Sequence, residues 1–113
     1  MTVAEQLAAY AATAKRWHEL RSDARSANPV FDENARLARE LLRCAEGRAG
    51  IAALIGHPAS GVRVLAAAHS LEYEPAEAVA ALEALAAADG LHAIAARYAL
   101  DEFRAGTLRL DGD

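Results

Sequence analysis

The chain of 113 residues is poor in sulfur and in rings: it has one cysteine, one methionine and one tryptophan, and aromatic residues make up 5% of it. With Cys44 alone, an internal disulfide is excluded and a thiolate zinc site has no second sulfur ligand. Placed between Leu42 and Ala45 in a helical pattern, Cys44 reads as a small interior residue, with a catalytic thiol as the remote alternative. No apolar run approaches the ~20 residues that cross a bilayer, and no basic leader precedes an apolar stretch at the N-terminus. A cytoplasmic protein without a membrane partner is expected. Alternation of apolar and polar residues backed by β-branched types is also missing, which removes support for a sheet.

Catalytic signatures are equally scarce. There is no HExxH, no glycine-rich phosphate loop and no Gly-x-Ser-x-Gly, and His18, His57, His69 and His92 never stand at metal-ligand spacing. No cofactor, metal or enzymatic activity is therefore expected. His57 beside Pro58 reads as a cap that bonds the turn backbone, and His69 as a satisfied interior histidine. The functional alternative pairs His69 with Glu72 or Tyr73 in a cleft for proton transfer.

What the chain has is apolar residues, 54% of the total, and about a quarter of it is alanine. That composition favours helices that approach closely instead of a core of bulky side chains. Thr2 and Glu5 form a capping box, and Val3, Leu7, Tyr10, Ala14 and Trp17 mark one face of a first helix reaching toward Arg25. Tyr10, Trp17, Tyr98 and Phe103 read as packing residues, with Trp17 beside His18 as an alternative anchor for a partner. Asn28 and Pro29 are expected to break the first helix. The pattern places a second helix from near Asp32 to Ala45, with Gly47 just past its end, and a short third segment between Gly50 and Gly56. Gly56 in a left-handed conformation and Pro58 then stop that segment, and Val62, Leu65, Ala66 and His69 recur on one face of a fourth helix. Pro75 starts a fifth helix that Gly90 ends. A sixth turns Ile94, Ala95, Tyr98 and Phe103 inward before Gly106. From Thr107 to Asp113 a tail pinned by Leu108 and Leu110 is expected.

The order of these signals carries a resemblance. The segment His57, Pro58, Val62, Arg63, Ala66, Ala67 is similar to the HEAT signature, although Ser60 and Gly61 stand where such repeats often place an acidic residue or asparagine. Asn34, the run Leu41-Leu42-Arg43, the start Pro75 to Ala78 and the close at Leu100, Arg104 and Gly106 extend the likeness. Together they resemble the small bacterial family catalogued as domain of unknown function twenty-nineteen. The resemblance implies an all-α fold over residues 1–113, a single right-handed superhelical HEAT/ARM-like array of about five or six short antiparallel helices. It also implies a non-enzymatic role of immunity or antitoxin type, in which the domain binds another protein, a basic toxin being the partner the family context suggests.

Charge gives an independent hint. Residues 1–63 carry nine basic against seven acidic side chains, and residues 64–113 carry three against nine, within a net charge of −4. Glu72, Glu74, Glu77, Asp101 and Glu102 form a candidate surface for a basic protein, the simpler reading being a solvated helix face. Arg36, Arg39 and Arg43 make a second candidate stripe, with ordinary pairing to Glu33 or Glu40 as its simpler reading. An isoelectric point near 5.5 disfavours nucleic acid as the partner. Two further classes stay open beside protein binding: self-association into a homodimer that covers apolar ends of the array, and a small-ligand site or enzyme in a helical cleft.

Overall fold

Residues 1–108 are described in the computed structural model of the chain, so the expected role of Leu110 lies outside the described residues. Among them there are six α-helices and no strand: α1 Val3–Glu19, α2 Ala24–Leu41, α3 Ala45–Ala53, α4 Ser60–Ser70, α5 Pro75–Ala86 and α6 Leu91–Ala105. A 3-10 turn, Leu54–Gly56, follows α3. The expected all-α class is the observed one. None of these helices is long and apolar enough to cross a membrane.

Small side chains decide what lies at the centre. In α4 every residue except Ser60 and Arg63 is buried, from Gly61 and Val62 through Ala66, Ala67 and Ala68 to His69 and Ser70. A helix this small on all sides can be surrounded, and α1, α3, α5 and α6 all pack against it. One apolar cluster joins Trp17, Val64, Leu65, Leu82, Leu85 and Leu100, and another joins Tyr10, Leu37, Leu41 and Ile51 around Ala66. Helices α1 and α4 approach closely where Gly61 faces His18. A Cβ on Gly61 would fall 2.4 Å from His18 Cβ and 3.1 Å from the Ala14 carbonyl oxygen, so only glycine allows this crossing.

Several boundaries differ from the sequence expectation. The first helix stops at Glu19 and not near Arg25, and the break falls at Leu20–Asp23 instead of at Asn28–Pro29. Pro29 sits inside α2, on its exposed side near the N-terminal end. There the missing N–H removes one hydrogen bond to a solvent-facing carbonyl, and the buried face through Asn34, Leu37, Ala38 and Leu41 outweighs that loss. At its other end α2 stops at Leu41 and not at Ala45, which removes Cys44 from any helix interior: the residue is exposed and N-caps α3, its Sγ accepting the Gly47 N–H at 3.3 Å. Gly47 and Gly50 then lie within α3 instead of ending segments. A Cβ on Gly47 would meet the Leu41 carbonyl oxygen at 2.0 Å, so this glycine lets α3 fold back against the end of α2.

Gly56 does not take the left-handed conformation expected of it; among the described residues positive φ occurs only at Gly90 and Gly106. Pro75 does open α5 and Gly106 does close α6, as expected, and the structure puts Gly106 in the left-handed region. Gly90, read as the end of α5, is the N-cap of α6, while α5 closes on Ala87. On α6 the inward face is Ala93, Ala96, Ala99 and Leu100, and Ile94 and Tyr98 are each 56% exposed. The alanine edge permits the tight contact with α5 that bulky side chains would prevent, so the larger residues turn outward.

Candidate functional site

A polar strand of contacts runs through the packed interior. Tyr10 is fully buried on α1, and its hydroxyl lies 2.6 Å from His69 Nδ1 on α4. Burial pushes the Tyr10 phenol well above its ordinary pKa, so it stays neutral. The Tyr10 hydroxyl and His69 Nδ1 share one hydrogen bond, its direction set by the tautomer of the histidine. Asn34 of α2 ties in from the other side, its amide donating to the Tyr10 carbonyl and to Thr13 Oγ1, each at 3.0 Å. His69 is thus the interior histidine that its helical face suggested. Its phenolic partner is 59 positions away in the chain, and no local spacing signals it.

The same histidine lines the base of a surface groove of about 520 Å³. One wall is the C-terminal half of α2 with Ala38, Arg39 and Leu42. The other comprises Glu72 and Tyr73 from the turn after α4 and Phe103 near the end of α6. The turn is positioned by Pro75, which starts α5 at once, and by the Glu74 N–H donating to the Ser70 carbonyl at 2.7 Å. Tyr73 is 42% exposed and stands beneath the Arg48 guanidinium, 5.3 Å from its ring centroid. The groove therefore combines alanines and aromatic rings with a cation, Arg39, and a carboxylate, Glu72, among its lining residues.

The structure divides the residues singled out as partner-binding. Arg39 and Glu72 come to this groove, whereas Arg36 is engaged within α2 by Glu33 and Glu40. That bonding holds the Glu33 carboxyl below its ordinary pKa. Arg43 is exposed in the turn between α2 and α3. Glu74 and Glu77 are exposed at the start of α5, close in the chain to Glu72. Asp101 is exposed on α6, and Glu102 is partly buried, its carboxylate accepting from the Thr107 hydroxyl. Of the structural motif, Val62, Ala66 and Ala67 are fully buried. His57 caps as expected, Nδ1 accepting the Ala59 N–H at 3.0 Å. Arg63 donates to the carbonyls of His57 and Pro58 at 3.1 and 2.9 Å, which fixes the loop before α4. Tyr73 lines the groove with His69 and Glu72, the shared cleft that the proton-transfer alternative required, and Phe103 completes it, a place that sequence reasoning had not given to Phe103.

Among the described residues no three His, Cys, Asp or Glu side chains gather as a metal site. The fold does bring two histidines together: the rings of His18 on α1 and His92 on α6 are 6.0 Å apart. Burial, then Arg21, then His92 lower the His18 pKa from its ordinary 6.5, against a small opposing effect of Glu19. The folded chain thus takes up this proton less readily than the unfolded chain does. The associated stability is complete above about pH 6.5 and fades as the pH falls toward the lower folded value. Melting temperature should decline on acidification from pH 7.5 to 5.5, and His18→Gln should flatten that decline. An unchanged slope in the variant would assign the acid sensitivity elsewhere.

No family model and no curated protein matches the chain. A crystal structure of the protein RPA1889 from Rhodopseudomonas palustris CGA009 is similar to it throughout, with a TM-score of 0.84 at 26% sequence identity. The match covers 96% of this chain and 93% of that one, and establishes for both the same all-helical fold.

Proposed function

We propose that the chain is a non-enzymatic protein-binding module of HEAT-like construction, and that the groove between α2, the turn after α4 and α6 receives a segment of its partner. The observation that carries this reading is the convergence of Arg39, Glu72, Tyr73 and Phe103 around one groove of about 520 Å³ whose lining includes Ala35, Ala38 and Ala68. Aromatic and arginine side chains around an apolar depression are the composition that concentrates binding energy in protein interfaces. Glu74 and Glu77 lie on the adjoining turn of α5, which favours a partner with basic side chains beside its apolar anchor. In support of the non-enzymatic reading, His69 Nδ1 is engaged by the buried Tyr10 phenol.

HEAT-like construction is supported by consecutive helices α4, α5 and α6 that pack on one another through four-residue connections. Here they close around α4, giving extents of 35 × 32 × 28 Å where a longer array would be drawn out. Membership of domain of unknown function twenty-nineteen, a cytoplasmic setting and an immunity-type role toward a basic toxin complete the proposal.

Capture from an extract of the native host tests it, with immobilised wild type compared against Arg39→Glu and Tyr73→Ala. Both positions are exposed, so the fold survives the changes. A partner retained by wild type and weakened about tenfold or more by each variant supports the groove. Equal retention of every captured protein by all three would overturn it.

A further inference from the structure

A second depression, of about 440 Å³, shares Ala68 with the first and is lined mainly by apolar side chains. Val64, Leu65 and Ala68 of α4 make its floor, Trp17 and Phe31 stand on one side, and Ile94 and Tyr98 of α6 form the other lip. Trp17 is already 92% covered, with the Phe31 ring centroid 5.9 Å away and the Arg21 guanidinium 4.6 Å above it. Ile94 and Tyr98, by contrast, are both 56% exposed and one helical turn apart, so two large apolar side chains protrude beside the hollow.

The charges at the ends of this stripe have opposite signs. Contact between His18 and His92 places the last turn of α1 against the first turn of α6, so Arg21 marks the N-terminal end of the α6 lip. Asp101 is exposed on the Ile94–Tyr98 side, less than one turn beyond Tyr98 and about two turns beyond Ile94. Arg97, exposed on the adjoining edge of α6, is drawn toward α5 by its Nε–H donating to the Ala86 carbonyl at 3.2 Å. The stripe itself therefore has apolar knobs beside an apolar hollow with Arg21 at one end and Asp101 at the other, a pattern complementary to itself when turned by a twofold rotation.

We infer that a second copy of this chain docks on this face through α6, in antiparallel register. Ile94 and Tyr98 of each copy enter the hollow of the other, and Arg21 of each meets Asp101 of its mate. The contact area available to one short helix stripe sets a modest affinity, on the order of 10–100 µM. This association uses none of the groove residues Arg39, Glu72 or Tyr73, so it stands or falls separately from partner binding.

Sedimentation equilibrium between about 5 and 500 µM tests it. Wild type should approach twice the chain mass at the upper end, Ile94→Arg and Tyr98→Asp should each weaken association at least about tenfold, and Arg39→Glu should leave it unchanged. Arg21→Asp and Asp101→Arg should each weaken it, and the double exchange should restore it, a rescue that a change in folding alone would not produce. Wild type remaining a monomer throughout, or association indifferent to Ile94 and Tyr98, would overturn the inference. So would a double exchange no stronger than either single one.

Discussion

Tyr10→Ala is expected to lower stability by about 3–5 kcal/mol, a large part of what a domain of this length possesses. The ring is fully buried in one cluster with Leu37, Leu41, Ile51 and Ala66, where close packing leaves a deleted ring's volume as a cavity. The same change strips the hydroxyl from His69 Nδ1, so a cavity and a lost hydrogen bond arise together. Tyr10→Phe separates the two effects. It keeps the ring, removes only the hydroxyl, and should cost about 1–3 kcal/mol. Thermal or urea unfolding measures both. A Tyr10→Phe loss equal to that of Tyr10→Ala would mean that the hydrogen bond, and not ring packing, dominates; no loss in either would remove Tyr10 from the core.

Gly61→Ala is the second large effect, at about 1–3 kcal/mol of destabilisation. Ordinarily alanine is the better helix former, and the intrinsic preference would favour the variant by up to about 1 kcal/mol. The geometry reverses that sign, because the new methyl would lie 2.4 Å from His18 Cβ and 3.0 Å from His18 Cγ, with the Ala14 carbonyl behind them. Neither α1 nor α4 can yield cheaply, since Ala14 and Val62 beside the crossing are fully buried. Gly56→Ala supplies the contrast: open space surrounds that position and its φ is not positive, so the change should be neutral or slightly stabilising. Unfolding free energies of the two variants in one buffer check the pair. A neutral Gly61→Ala would contradict the close crossing of α1 on α4.

The contrast between these glycines indicates how much of the fold could be read from the chain. Helix class, the capping box at Thr2, the start at Pro75 and the close at Gly106 depend on neighbours within a few residues, and their chemistry is written locally. Gly47, Gly50 and Gly61 are glycines for a different reason: other parts of the chain lie where a side chain would be. Local spacing reads them as punctuation, which is why the third helix was shortened and Cys44 misplaced into an interior. On α6 the apolar residues go nearly all the way round, so periodicity alone could not decide that Ala93, Ala96 and Ala99 face inward while Ile94 and Tyr98 face out.

The candidate site was legible in part for the same reason. Arg39 and Glu72 stood out by charge, and a helical stripe or an acidic run is visible without coordinates. That these two line one groove with Tyr73 and Phe103 follows from the turn after α4 and from the end of α6, which tertiary contacts alone bring to α2. The pairing of Tyr10 with His69 was equally hidden, since it joins α1 to α4 across 59 positions.

Amide hydrogen exchange of the chain with and without its captured partner tests the groove assignment most directly. Slowed exchange should concentrate in three segments, the last turn of α2 around Ala38–Leu42, the turn Leu71–Glu74 and the end of α6 near Phe103, with the outer face of α5 unchanged. Protection confined to α1 and α3, with those three segments exchanging at their free rates, would contradict it.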